Sequence, residues 1–418
     1  MGFPASVVRP LSRSEEMFAE MQNFMGLATH MTGPVDVDAM SDAFDALLQA
    51  HPMLNAHLEQ TSDGKHQFVI DEFLHPGMRV IDADDGSSVA DVQLDQYLSL
   101  VNLNLTLMNG RAELCLYIHH SLADAHHQFA LAHQLFAHYT DLVSTGDLGP
   151  VTANPAPEPL ESILAQRGIH KQRRSGFERF MPALFAYDLP PSRRASTGEA
   201  PVKPISVPVA RCWLTEGQTR ELMEFSHENR VSVSTVVSAA ILLAEWQIRG
   251  TPNIPIPYIY PVDLRYLLSP PVSATGGTNP LGLATYLAEI EADTDIVELA
   301  ADIAQTFRTD LSEGVIQQSL LHFSPQYVGN PPGLPDVVMS TDGGPTPAMP
   351  TPENLVIDGA HGEMWLTASA GVDTYCTGSF LDRLWVERYS HVPGAEKTIE
   401  RIETLLCSAP SQYGWVME

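Results

Sequence analysis

A proline-rich interruption near the middle of the chain constrains the fold more than any other feature. Prolines at 150, 155, 157, 159, 190, 191, 201, 204 and 208 resist threading through regular helices or central strands, because the ring fixes φ and removes a backbone donor. A basic stretch, Arg167, Lys171, Arg173, Arg174 and Arg179, breaks up the prolines. The segment 151–208 therefore reads as a crossover with one or two helical pieces, joining an N-terminal half (1–150) to a C-terminal half (209–418). A length of 418 residues suits two domains.

Both halves mix helical and strand periodicities. In the first, Asp38 to Ala50 places Met40, Phe44, Leu47 and Leu48 on one stripe, and His51-Pro52 stops the helix. Strands are predicted at Gln67–Ile70, Leu98–Met108 and Ala112–His119, with hairpin-type turns at Asp63-Gly64 and Asn109-Gly110. A long helix follows from about Ala125 to Leu142. In the second half, strands are predicted at Ala210–Leu214 and Ile254–Val262, and a buried apolar helix at Ser232–Gln247. Thr215 with Gln218, and Asp295 with Glu298, read as helix starts. Strands layered with helices in both halves predict an α/β (α+β layered) fold.

Composition removes several function classes. With 23 Lys plus Arg against 51 Asp plus Glu, the formal charge is -28, so phosphate-rich nucleic acid and anionic membrane surfaces are repelled. The longest apolar run, Val236 to Ala244, is too short for a stable membrane span. Cys115, Cys212, Cys376 and Cys407 form no Cys-x-x-Cys pair, which argues against a zinc ribbon or dithiol site and suits a reducing, cytoplasmic setting.

The chemistry concentrates in one place. Of 16 histidines, six (119, 120, 126, 127, 133 and 138) fall within twenty residues. The centre, His119-His120-Ser-Leu-Ala-Asp124, sits where a buried strand gives way to a helix, the position where α/β proteins open a ligand crevice. A neutral imidazole there can act as a general base. Asp124 could orient it, hold the loop, or simply cap the helix. The other four histidines read as helix-surface residues. No His-Glu-x-x-His pattern, P-loop or Gly-x-Ser-x-Gly elbow is present, so the expectation is no metal, no nucleotide and no acyl-enzyme nucleophile.

This run resembles the His-His-x-x-x-Asp-Gly motif of the chloramphenicol-acetyltransferase-like superfamily. That superfamily includes non-ribosomal peptide condensation domains and the polyketide-associated acyltransferases of mycobacteria. Ala43 to Leu54, with its His51-Pro52-Met-Leu54 ending, is similar to the superfamily's first helix. Tyr260-Pro-Val-Asp263-Leu-Arg265 is similar to its Arg-bearing second-half segment. Resemblance to the mycobacterial acyltransferases extends to the C-terminal run from Tyr413 to Glu418.

The resemblance implies two acetyltransferase-like halves with an active-site channel between them. It also implies transfer of long methyl-branched, mycocerosyl-type acyl chains from the carrier domain of a polyketide synthase to the hydroxyls of a phthiocerol-type, long-chain diol. His120 takes the role of general base, Asp124 becomes a structural partner with Arg265 opposite it, and His119 is minor. A departing thiol needs no cofactor beyond the phosphopantetheine (or coenzyme A) that carries the donor. Carrier domains present an acidic face, so docking on so acidic a chain is expected to rest on local arginines, with Arg230 and Arg308 as candidates. One departure stands out: Ala125 occupies the motif's Gly position. If that residue needed φ > 0, the loop would have to shift. An amide-forming condensation enzyme and a non-catalytic acyl-binding scaffold are the competing readings.

Overall fold

The computed structural model describes residues 6–71, 73–83, 92–193, 202–251, 253–322, 336–367 and 372–413. Residues 194–201 of the crossover, Pro201 among them, and the C-terminal run after Tyr413 lie outside them.

The chain begins β1 (Ser6–Pro10), α1 (Arg13–Glu20), β2 (Phe24–Thr32), α2 (Val37–Ala50), β3 (Ala56–Gln60), β4 (His66–Ile70) and β5 (Met78–Asp82). Next come β6 (Val101–Met108), β7 (Arg111–His119), α3 (Ala125–Thr145), α4 (Leu160–Gln166), α5 (Met181–Phe185), β8 (Ile205–Ser206) and β9 (Val209–Trp213). The second half adds α6 (Glu216–Glu228), α7 (Val233–Arg249), β10 (Ile256–Asp263), β11 (Leu281–Ala288), α8 (Ile296–Ser312) and α9 (Val315–Gln318). It closes with β12 (Val338–Pro345), β13 (Val356–Leu366), β14 (Asp373–Phe380), β15 (Arg383–Ser390) and α10 (Ala395–Tyr413).

Local chemistry explains the helix boundaries. The Asp36 carboxylate accepts from Ala39 N at 3.0 Å to start α2, whose apolar stripe (Met40, Phe44, Leu47) is fully buried before Pro52 ends it. Asp295 accepts from Val297 N and Glu298 N to start α8. Both anticipated hairpins form. The β6–β7 register pairs Met108 with Arg111, leaving Asn109-Gly110 as a two-residue turn with Gly110 at φ 71.

Two six-stranded sheets organise the molecule. The first runs β5-β6-β7-β2-β13-β8 and the second β11-β10-β12-β14-β15-β9, beside a small β1-β4-β3 sheet. Helices α2 and α3 cover one face of the first sheet, burying Phe44, Leu47, Leu131 and Phe136 against Leu103, Leu105, Leu114 and Leu116. On the second sheet, the largely apolar α7 packs with α8 and α10 against Tyr258, Val338, Tyr375 and Val386.

Neither sheet is built from a contiguous stretch. β13, about 330 residues downstream of β2, pairs along its whole length with β2 and carries β8 at its outer side. The crossover is likewise bound into the fold. α4 buries Leu160, Ile163 and Leu164 against Leu264, Leu268 and Ile316, and Arg179 forms a two-pronged pair with the buried Asp310. Among the described residues, no single helix is long and apolar enough to cross a membrane.

Candidate active site

β7 runs between β6 and β2, and its last residue, His119, pairs with Phe24 at the start of β2. From there the backbone turns through Ser121, Leu122 and Ala123 and enters α3 at Asp124. Four backbone hydrogen bonds hold this turn. His119 N donates to Leu100 O (2.8 Å), His120 N to Asn23 O (2.8 Å), Leu122 N to His119 O (2.9 Å) and Asp124 N to Thr278 O (3.0 Å). Leu122 and Ala123 are fully buried, which leaves the turn little freedom.

The two histidines have different surroundings. His119 is completely buried, edge-on to Phe24, and its Nδ1 accepts from Ser121 N at 3.2 Å and contacts Ser121 Oγ at 2.7 Å. Burial pushes its pKa well below the ordinary value, with the neighbouring His120 and His66 adding to the shift. His120 is only half-buried and lies flat on Phe18, ring centroids 4.0 Å apart and planes 5° from parallel. Its pKa is also lowered, because desolvation outweighs the opposing pull of its own carbonyl, the Asp124 charge, Asn279 and the Ala123 carbonyl. It is therefore a neutral base at cellular pH.

Asp124 does two jobs. Its Oδ1 accepts from His127 N at 3.0 Å, capping α3. Both oxygens also accept from Arg265, Oδ2 from Nη1 and Oδ1 from Nη2, each at 2.9 Å. Arg265 is 1% exposed and donates further to Asp263 Oδ1 (3.1 Å) and Ala274 O (3.2 Å). The local Asp263 contact and the long-range Asp124 contact thus coexist.

The segment Gly277-Thr278-Asn279, from the second half, runs directly beneath the histidine turn. Asn279 Nδ2 donates to His120 O at 2.7 Å, and His127 Nδ1 lies 3.2 Å from Gly277 O. Thr278 Oγ1 donates to Glu15 of α1 at 2.8 Å, and Glu15 is itself gripped by Arg9. The turn therefore sits at the junction of the two halves, clasped by a buried ion pair and a backbone bridge.

Three expectations need revision or completion. His127 is buried rather than on the helix surface, and burial lowers its pKa to about 4. Ala125 is the first helical residue of α3 and lies outside the positive-φ residues, so the motif's Gly is not required for this turn. Phe18, Asn23, Thr278 and Asn279 belong to the site and carry no motif. The nearest sequence signal was Ser12-x-x-Glu15, a helix-start pattern in which Ser12 N donates to Glu15 Oε2 at 2.8 Å. Arg230 and Arg308 lie away from this cluster. Both are exposed, Arg230 in the α6–α7 connection and Arg308 on α8, where it donates to Gln305 at 3.1 Å.

Two sheets joined by an exchanged strand, with the His-His-x-x-x-Asp turn at their junction, define a chloramphenicol-acetyltransferase-like transferase of the condensation-domain type. The first condensation domain of the calcium-dependent antibiotic synthetase shares this fold at a TM-score of 0.65 and 16% identity, covering 98% of this chain and 97% of that one. A family model described as "Phthiocerol/phthiodiolone dimycocerosyl transferase C-terminus" matches residues 203–387. The phthiocerol/phthiodiolone dimycocerosyl transferase of Mycobacterium tuberculosis (strain H37Rv) is 50% identical over 421 residues, 100% of both chains. The structure of polyketide synthase associated protein 5 from Mycobacterium tuberculosis superposes with a TM-score of 0.89 at 49% identity, covering 98% of this chain and 100% of that one. The chain belongs to the phthiocerol/phthiodiolone dimycocerosyl transferase family, and it is an acyltransferase.

Proposed function

We propose that this enzyme forms esters by direct transfer of a long methyl-branched acyl chain from a carrier-bound thioester to the hydroxyls of a phthiocerol-type diol. One observation carries the chemistry: a single half-buried imidazole, kept neutral by desolvation, on a turn fixed between the two halves. The named substrates rest on the 50% identity to transferases named for them.

His120 accepts the proton of a diol hydroxyl as that oxygen attacks the thioester carbonyl. The tetrahedral intermediate then collapses, the carbon–sulfur bond breaks, and the imidazolium returns the proton to the departing thiolate. The products are an ester and a free carrier thiol, so atoms and charge balance without a further cofactor. His120 Nε2 is the working nitrogen on this reading, since Nδ1 is buried. Asp124, Arg265, Asn23 and Asn279 are positioning residues that hold the turn, and His119 supports it from the sheet side. Donor and acceptor enter the junction from opposite sides. Arg230 and Arg308, both exposed, receive the carrier domain, since an acidic partner must dock on local basic groups of a chain whose net charge is -28. Four unpaired thiols suit work in the cytoplasm.

The test is to supply a carrier-bound or coenzyme A acyl thioester with a long-chain diol or, separately, a long-chain amine. Ester from the diol, dependent on His120, supports the proposal. Amide in preference to ester would favour a condensation role, and no product from either would leave an acyl-binding scaffold.

A further inference from the structure

Far from the histidine turn, on the face of the first sheet opposite α2 and α3, three adjacent strands bring together His30 (β2), Glu113 (β7) and His361 (β13). Strand register sets them side by side: His30 pairs with Glu113 across β2–β7, and with Gly359 across β2–β13. His30 Nε2 lies 2.9 Å from His361 Nδ1, and His30 Nδ1 lies 3.5 Å from Glu113 Oε2. One ligand atom from each residue falls within 4.8 Å of the others, and all three residues are half-buried. The β13 side is shaped around the ring, since a Cβ at Gly359 would come within 3.1 Å of His30 Cδ2. The β2–β13 register also shifts between Ile357 and Gly359, a device that re-aims side chains.

We propose that His30, Glu113 and His361 form a binding site for a divalent transition metal of the zinc class, independent of the acyl-transfer site. Two imidazoles and a carboxylate are a donor set that zinc favours. Tetrahedral bonds of about 2.0–2.2 Å place ligand atoms roughly 3.3–3.5 Å apart. Reaching that spacing means opening the His–His contact slightly and swinging in the Glu113 carboxylate, which is a side-chain adjustment only. Glu363 Oε1, 4.0 Å from His361 Nε2, stands as an outer partner fixed by Tyr117 and Trp365. Glu113 is six residues before His119 on β7, about 20 Å away at strand rise, so the ion acts on structure. It would cross-link β13 to β2 and β7, strands distant in sequence.

The test uses the full chain stripped with a chelator, then titrated with Zn²⁺ in competition with a chromogenic chelator at pH 7.5. The expected result is one equivalent bound per chain, with affinity reduced roughly 10–100-fold or more in His361→Gln, His30→Gln and Glu113→Gln. A control, His133→Gln on the exposed side of α3, should bind like the parent. Zn²⁺ should raise the melting temperature of the parent and the control and leave the three site variants unmoved. Circular dichroism establishes which variants fold, and any one folded site variant suffices. Substoichiometric uptake, or equal binding by a folded site variant and the parent, overturns the site.

Discussion

His120 owes its neutrality to burial, and that fixes the direction of every pH effect at the site. Its depressed pKa means the base form predominates at neutrality, so acyl transfer should change little above about pH 7 and fall as the solution is made more acidic. A profile still climbing between pH 7 and 9 would contradict this assignment. His127 adds a stability effect of definite sign. Below pH about 6.5 the unfolded chain takes up a proton that the folded chain, with a pKa of about 4, refuses. The stabilisation is therefore complete above 6.5 and lost as pH falls toward 4, by roughly 3 kcal/mol at most. Denaturant titrations of parent and His127→Gln across that window should converge at low pH. His119→Ala should cost about 2–4 kcal/mol of stability through the cavity it leaves, with a smaller activity loss per folded molecule than any change at His120. At this scale the sequence was readable where the site is contiguous: His119, His120 and Asp124 sit in one run. Phe18 and Asn279 could not be read, because their contacts with His120 span 102 and 159 residues and leave no local pattern.

Elements with strong local signals were recognisable, and those shaped by tertiary pairing were not. α2, α6, α7 and α8 announce themselves through capping side chains and apolar stripes. β13 does not, since Gly359 and Gly362 break its alternation and its pairing partner lies near the N-terminus. Gly362 shows why: a Cβ there would meet Tyr389 Oη at 2.6 Å, so the second sheet packs close against this strand. Gly362→Val should accordingly destabilise the protein by about 1–3 kcal/mol, read by chemical denaturation, and an unchanged midpoint would contradict that packing. The Asp124–Arg265 pair links α3 to the loop after β10. Breaking either side strands a buried charge, typically at about 3–5 kcal/mol, and Arg265→Ala strands both Asp124 and Asp263. Arg265→Ala should therefore be the more damaging single change. The double variant should lose less than the sum of the two, a coupling that additive losses in the cycle would refute.

For the whole molecule, charge and architecture act together. Three crossover arginines are paired within the chain, Arg179 on Asp310, Arg174 on Glu313 and Arg193 on Glu245. Arg230 and Arg308 face outward against an acidic background. Arg230→Glu and Arg308→Glu should weaken transfer from a carrier-bound donor, more at low salt than at high, and barely affect transfer from an acyl-coenzyme A. Equal losses with both donors would reassign these arginines to the fold. The layering of strands with helices was legible from their periodicities, whereas the pairing of β13 with β2, strands far apart in sequence, was not. The central claim, that one neutral imidazole at the junction drives ester formation, is tested most directly by single-turnover transfer from a carrier-bound acyl thioester to a diol by His120→Ala with its fold verified. The expected result is a rate lower by about 10²–10⁴-fold at unchanged melting temperature. A folded His120→Ala enzyme that forms ester at the parent rate would contradict it.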